Sequence, residues 1–151
     1  MIFKKGDIEV RDFKSSDIEK IRRRVRKIDR EDIQVLFNLS PEQSLIKSVK
    51  VSTYVFTILQ NDKIIAILGL MPETLISNKA LVWMITTDTI QSIPISFLRG
   101  SKVFIQYLFT LYGSLYGTVR NENICSFKWL KWMGANMIPN NGFHSFTLER
   151  S

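Results

Sequence analysis

Val-Arg-Asn-Glu-Asn-Ile-Cys-Ser-Phe-Lys-Trp-Leu-Lys-Trp-Met-Gly-Ala, residues 119–135, carries the most informative pattern in the chain. A short apolar strand, Ser114 to Val119, runs into an Asn, then a helix, then a Gly. Asn123 stands just before the apolar-periodic residues. There its side-chain oxygen can accept from an otherwise unpaired backbone N–H of the first turn. Gly134 follows the last helical turn, where a left-handed cap is usual. Asn123, Ser126 three on, Leu130 seven on and Gly134 eleven on form one spaced set.

Working outward, residues 7–13 alternate inside and outside through Ile8, Val10 and Phe13 and predict a strand. Ser16-Asp17-Ile18-Glu19 reads as a capping box, with Ile18, Ile21, Val25 and Ile28 on one helical face. A second helical segment follows near 30–38. Ser40-Pro41-Glu42-Gln43 is another helix start, with Pro at the first helical position. Residues 51–60 and 63–71 predict a hairpin turned at Asn61-Asp62 and ended by Pro72. Residues 80–87 form a continuous apolar strand, as a strand covered on both faces requires. Residues 88–98 connect it to a helix ending at Gly113, whose periodicity begins either after Arg99-Gly100 or earlier, at Pro94. Asn140-Asn141-Gly142 turns a last hairpin, 136–139 with 143–149. The expected order is β-α-α-β-β-β-α-β-α-β-β.

A chain of 151 residues is one domain by length, so 1–151 is read as a single domain with room for a core. A hydrophobic share of 45% and a charged share of 23% are ordinary for a globular protein and exclude a disordered one. A single Cys makes no internal disulfide and no zinc spacing, so no metal site is expected and a reducing compartment, the cytoplasm, is. No apolar run reaches the length of a membrane span or a signal peptide. The net charge of +7 favours anionic partners without naming one. Its dense part is Arg22-Arg23-Arg24-Val25-Arg26-Lys27, which reads as a solvated helix face before it reads as a nucleic-acid or partner surface.

The Asn123–Ser126–Gly134 spacing resembles the last strand–helix unit of the GNAT N-acetyltransferase superfamily, Asn-x-x-Ala/Ser-x-x-x-Tyr-x-x-x-Gly-Phe. The resemblance implies an α/β (α+β) GNAT-like acyl-CoA N-acyltransferase fold. Its mixed central sheet is flanked by helices and splays between its fourth and fifth strands. It implies acetyl-CoA along the edge of the fourth strand, Asn123 and Ser126 beside it, and a backbone amide of that strand polarising the thioester for direct attack by an amine. In the family an Arg/Gln-x-x-Gly-x-Gly/Ala loop cradles the pyrophosphate at the next helix start. The matching positions are Arg99, Gly100, Ser101 and Lys102, without the second glycine. The Tyr that serves as general acid is Leu130 here, and the Phe is Ala135.

Segment 81–134 is also similar to small GNAT-like proteins of short-tailed phages, the internal virion protein A group. That resemblance implies a phage-encoded chain, in host cytoplasm or virion, with virion proteins or its own copies as partners. Two function classes stay open: an acetyl-CoA-dependent N-acetyltransferase with an unspecified amine acceptor, and a non-catalytic virion or assembly protein. A nucleic-acid or host-protein binder is a minor third.

Asp88 and Glu73 are the candidate general bases, each weighed against a solvated loop carboxylate. Tyr112 and Tyr116 are the remaining proton donors, each weighed against a core role. Cys125 reads as a small buried hydrophobe or a helix-activated thiol. His144 reads as packing or surface, and Trp129 and Trp132 as a core stripe, with a partner contact as the alternative for Trp132.

Overall fold

A computed structural model of the chain describes residues 2–89 and 94–150. Its elements in chain order are β1 (Phe3–Lys5), β2 (Ile8–Asp12), α1 (Ser16–Ile21), α2 (Lys27–Phe37) and α3 (Pro41–Val51). Then come β3 (Tyr54–Gln60), β4 (Lys63–Pro72), β5 (Lys79–Thr86), α4 (Pro94–Leu111), β6 (Ser114–Arg120), α5 (Ile124–Trp132), β7 (Asn136–Asn140) and β8 (Phe143–Glu149). The strands form one mixed sheet in the order β1-β2-β3-β4-β5-β6-β8-β7. β5 and β6 are its parallel pair, and the other neighbours are antiparallel.

Helices cover both faces. Ile21, Val25, Ile33 and Leu45 of the α1–α3 side pack with Leu59, Ile64, Ile67 and Ile85. Phe104, Leu108 and Leu130 of α4 and α5 pack on the other face with Val10, Phe56, Leu68 and Phe146. Residues 64–70 of β4 are therefore all buried, because a strand covered twice has no solvent face.

The expected elements are present, with two additions. β1 pairs with β2 through a turn at Gly6-Asp7, where Gly6 has φ 62°. Gly-Asp between short runs is the local signal for that hairpin. The stretch before β3 also holds three helices rather than two. Ile18, Ile21, Val25 and Ile28 do not share one helix: α1 stops at Ile21, and Val25 forms an isolated antiparallel bridge with Thr87. Ile18, Ile21 and Val25 fit one period because α1 and the following turn face the same core, whereas Ile28 lies in α2 outside that cluster.

The capping box at Ser16 is not formed. The cap position is Ser15 and has no side-chain bond, while Asp17 points inward. Asp17 accepts from Arg11 at 2.8 and 2.9 Å, from Lys14 N–H at 2.9 Å and from Thr57 at 2.7 Å. At α3 the capping box is complete: Gln43 N–H donates to Ser40 Oγ, and Ser40 N–H donates to the Gln43 side chain. Asn61, Asp62, Asn141 and Gly142 all take positive φ, as tight turns between twisted strands require.

Candidate functional site: the opening between β5 and β6

β5 and β6 pair only at Lys79↔Ser114, Ala80↔Leu115 and Leu81↔Tyr116, although both strands continue. Beyond Leu81 the sheet is open, and Leu81 to Met84 are only half-buried within a central strand. Strand alternation fixes which groups face the opening. Thr87 N–H donates to Ile65 of β4, whereas the Thr86 N–H and C=O both turn the other way. Groups alternate every residue in an antiparallel pair, so Met84, two residues before Thr86, also presents its N–H on the open side.

Two helix starts meet across this opening. Asn123 caps α5 by accepting from Ser126 N–H at 3.3 Å, as its place ahead of the apolar residues predicts. Gly134 has φ 92° and closes the helix: its N–H donates to Lys131 and Ala135 N–H donates to Leu130. From the other side, Arg26 at the start of α2 donates through Nη2 to Asp29 Oδ1 at 2.8 Å and to Ser126 Oγ at 3.2 Å. Asp29 Oδ2 accepts from Thr86 N–H and Thr86 Oγ1, and Arg26 N–H donates to Thr86 O at 2.7 Å. A second tie joins Arg120 to Asp32 at 2.7 Å and Asn123 Nδ2 to Asp32 at 3.3 Å. Burial pushes the Asp32 carboxyl up, against the opposing pull of Arg120 and Asn123. Arg26 and Asp29 are nearly fully buried, and Arg26 Nε and Thr87 Oγ1 are buried without a hydrogen-bond partner. Sequence reading missed this cluster: the only local signal is an opposite-charge pair three apart on a helix, which usually lies on the surface.

The expected site residues scatter. Asn123 and Ser126 are at the opening, engaged by Asp32 and Arg26. Arg99, Gly100, Ser101 and Lys102 lie inside α4, not in a turn ahead of it, because the helix begins at Pro94. Amides in a helix interior bond within the helix, so this segment offers the side chains of Arg99, Ser101 and Lys102 rather than a backbone cradle. Gly100 is buried against Ile8, Ser101 Oγ accepts from Trp129 Nε1 at 3.0 Å, and Lys102 Nζ lies 4.1 Å from the Trp132 ring centroid. The part of the 88–98 connection spanning 90–93 lies outside the described residues.

Glu73 and Asp88 are both exposed and lie beyond opposite ends of β5, roughly 25 Å apart along an eight-residue strand. Glu73 hydrogen-bonds Tyr116, the last β6 residue paired with β5; burial and Glu73 together push the Tyr116 hydroxyl up. Tyr112 is spent at the far end, bonded to Thr53 and raised chiefly by burial. Leu130 is 5% exposed and part of the core. Cys125 is exposed rather than buried, in the first turn of α5. His144 Nδ1 pairs with Asn121 at 2.8 Å and its ring meets Phe127, away from the opening. The run Arg22–Lys27 is not one helix face: residues 22–26 form the turn between α1 and α2, Arg22 pairs with Glu19 and Glu42, and Arg26 is buried. A small apolar cavity of about 30 Å³ lies under α4, floored by Met84, Leu68 and Trp129.

A parallel pair that opens beyond its first three residues, in a sheet of this order, is decisive when set beside solved structures. The ribosomal-protein-S5-alanine acetyltransferase of Vibrio fischeri superposes with a TM-score of 0.65, covering 97% of this chain and 95% of its own at 17% identity. The ribosomal-protein-S18-alanine N-acetyltransferase of Escherichia coli gives 0.66, with 94% and 93% coverage at 13% identity. N-acetyltransferase PseH of Campylobacter jejuni, in complex with acetyl coenzyme A, gives 0.60, with 95% and 99% coverage at 16% identity. The chain has the GNAT fold. At these identities the likeness carries the fold alone. The sequence matches no protein-family model and no curated protein. Within this fold, Met84 turns a backbone donor toward the gap. The Thr86 N–H and C=O, one step further along the same edge, are already bonded. No helix among the described residues is long and apolar enough to cross a membrane.

Proposed function

We propose that the protein is an acyl-CoA-dependent N-acyltransferase of the GNAT superfamily, transferring an acetyl group to an amine. The observation that carries this reading is the Met84 N–H on the open edge of β5, just past the last β5–β6 pair. Acetyl-CoA supplies the activated acyl group. The Met84 amide donates to the acyl carbonyl oxygen, where negative charge grows as an amine attacks, and a fixed donor there stabilises that charge. Asn123 and Ser126 hold the α5 side of the cleft, and the Arg99 and Lys102 side chains offer positive charge to phosphates from α4.

Of the two carboxylates, the base is assigned to Glu73, because it hydrogen-bonds Tyr116 at the last β5–β6 pair, whereas Asp88 lies four residues past Met84 at the other end of β5. Tyr116, bonded to Glu73, is the proton donor left once Leu130 is excluded. Losing a dedicated acid typically slows such chemistry by about 10²–10⁴ and leaves the gain from holding the reactants together.

The test is a calorimetric or thermal-shift titration with acetyl-CoA and CoA. Saturable binding that raises the melting temperature supports the reading through linkage. No binding at millimolar ligand sinks it.

A second reading is a non-catalytic phage virion or assembly protein that keeps the fold without the chemistry. Two observations favour it: Leu130 is core in the Tyr position, and Arg26 and Asp29 fill the β5 edge. Its readout is co-purification with particles or self-association, together with indifference to CoA.

A further inference from the structure

We propose that residues 24–29 form an autoinhibitory strap across the open edge of β5, which an acyl-CoA must displace to bind in full. The inference rests on the acyl-CoA reading above and adds a regulatory element to it.

A strand edge offers a ligand one N–H and one C=O every second residue. Past the vertex, β5 has two such steps, Met84 and Thr86. The strap takes the second one completely: Arg26 N–H donates to Thr86 O at 2.7 Å, and Asp29 accepts from Thr86 N–H at 2.8 Å. Val25 extends the pairing by its antiparallel bridge to Thr87. Residues 25–26 thus act as a short extra strand in the space that β6 leaves. An extended amide-bearing arm paired at both Met84 and Thr86 would need the same groups.

The strap is anchored at its far side as well. Arg26 Nη2 reaches Ser126 Oγ at 3.2 Å, and Arg30 Nε holds Val25 O at 2.9 Å. It is also held imperfectly. Arg26 Nε and Thr87 Oγ1 are buried and lack partners, and a buried guanidinium with an unmet donor disfavours the closed arrangement. The bend at 22–24 adjoins it on one side. On the other, Ile33 keeps the rest of α2 in the core. Release therefore breaks a few named bonds without undocking the helix.

The test titrates acetyl-CoA calorimetrically into the full chain carrying Cys125→Ser, alone, with Arg26→Pro, or with Val25→Cys and Thr87→Cys. Arg26 has φ −56° and follows a residue in a β-bridge, so proline fits its backbone while removing both its N–H and its side chain. Directly opposed residues of an antiparallel bridge lie within disulfide reach. Arg26→Pro should bind at least tenfold tighter than the parent. The oxidised double-cysteine protein should bind at least tenfold more weakly than its own reduced form. In the parent, acetyl-CoA should strip hydrogen-exchange protection from the Arg26 amide and leave it on Thr86.

Equal affinities across all forms would overturn the strap and leave the acyl-CoA reading standing. Absence of binding in every form, Arg26→Pro included, would overturn both. Should Arg26→Pro not fold, the oxidised and reduced forms decide alone.

Discussion

Thr86 and Asp29 are joined twice: the Thr86 N–H and its Oγ1 both donate to Asp29 Oδ2, each at 2.8 Å. The residues are 57 apart in sequence, and the bond ties the start of α2 to the end of the central strand. Asp29→Ala would leave the Arg26 guanidinium buried without its carboxylate and two Thr86 donors unmet. The expected loss is about 3–5 kcal/mol of stability, read from the urea midpoint, with Asp29→Asn costing less.

Asp17 predicts the acid limb of stability. It is fully buried, and burial alone would raise its pKa. Hydrogen bonds from Arg11, the Lys14 N–H and Thr57 outweigh burial and bring it from 3.8 to about 2. A carboxyl depressed in the folded state stabilises above its unfolded pKa, and the benefit is lost as pH falls through the folded value. Stability should therefore drop by about 2 kcal/mol between pH 4 and pH 2 from this group. A pH series of denaturation curves should show that slope in the parent and a flatter one in Asp17→Asn.

Gly117 lies on β6 one residue past the vertex. A Cβ there would meet the Phe146 ring at 2.7 and 2.9 Å and Val82 O at 3.1 Å. Gly117→Ala should push Phe146 out of the core and lower stability by about 1–3 kcal/mol. Near-UV circular dichroism should change while the far-UV spectrum holds.

Leu130, seven residues after the Asn123 cap, is part of the α4–α5 core. Leu130→Tyr should lower stability by about 1–3 kcal/mol through overpacking. Under the proposed acyltransferase reading, its turnover of acetyl-CoA should not rise, because the new hydroxyl enters apolar packing. A gain in turnover would reverse that expectation and point to a cleft-facing orientation.

Much of the fold is legible because its signals act within four residues. Asn123 caps the amide of Ser126, Gly134 accepts the left-handed turn, and Ser40 and Gln43 cap each other. Each depends on neighbours the chain itself supplies. The helix boundary ahead of Arg99 is less legible. Pro94 can open a helix, and one buried glycine beside basic residues has the composition of a phosphate loop whether it lies before a helix or inside it. The bend at 22–26 is illegible: Ile18, Ile21, Val25 and Ile28 fit a helical period although Val25 is extended. Periodicity records which residues are apolar, not which backbone bonds they make.

Sequence alone carries most element types, the hairpin turns, the caps at Ser40, Asn123 and Gly134, and the alternation that places Met84 and Thr86 on one edge of β5. These follow from local sterics and nearby hydrogen bonds. Long-range packing sets the rest: Arg26 and Asp29 lie in the opening between β5 and β6, Glu73 and Asp88 stand apart, and Leu130 faces the core. Those placements depend on contacts between residues tens of positions apart, such as the 100-residue span from Arg26 to Ser126. Whether a charge is solvated or buried is settled by the elements that close around it, which no local pattern encodes.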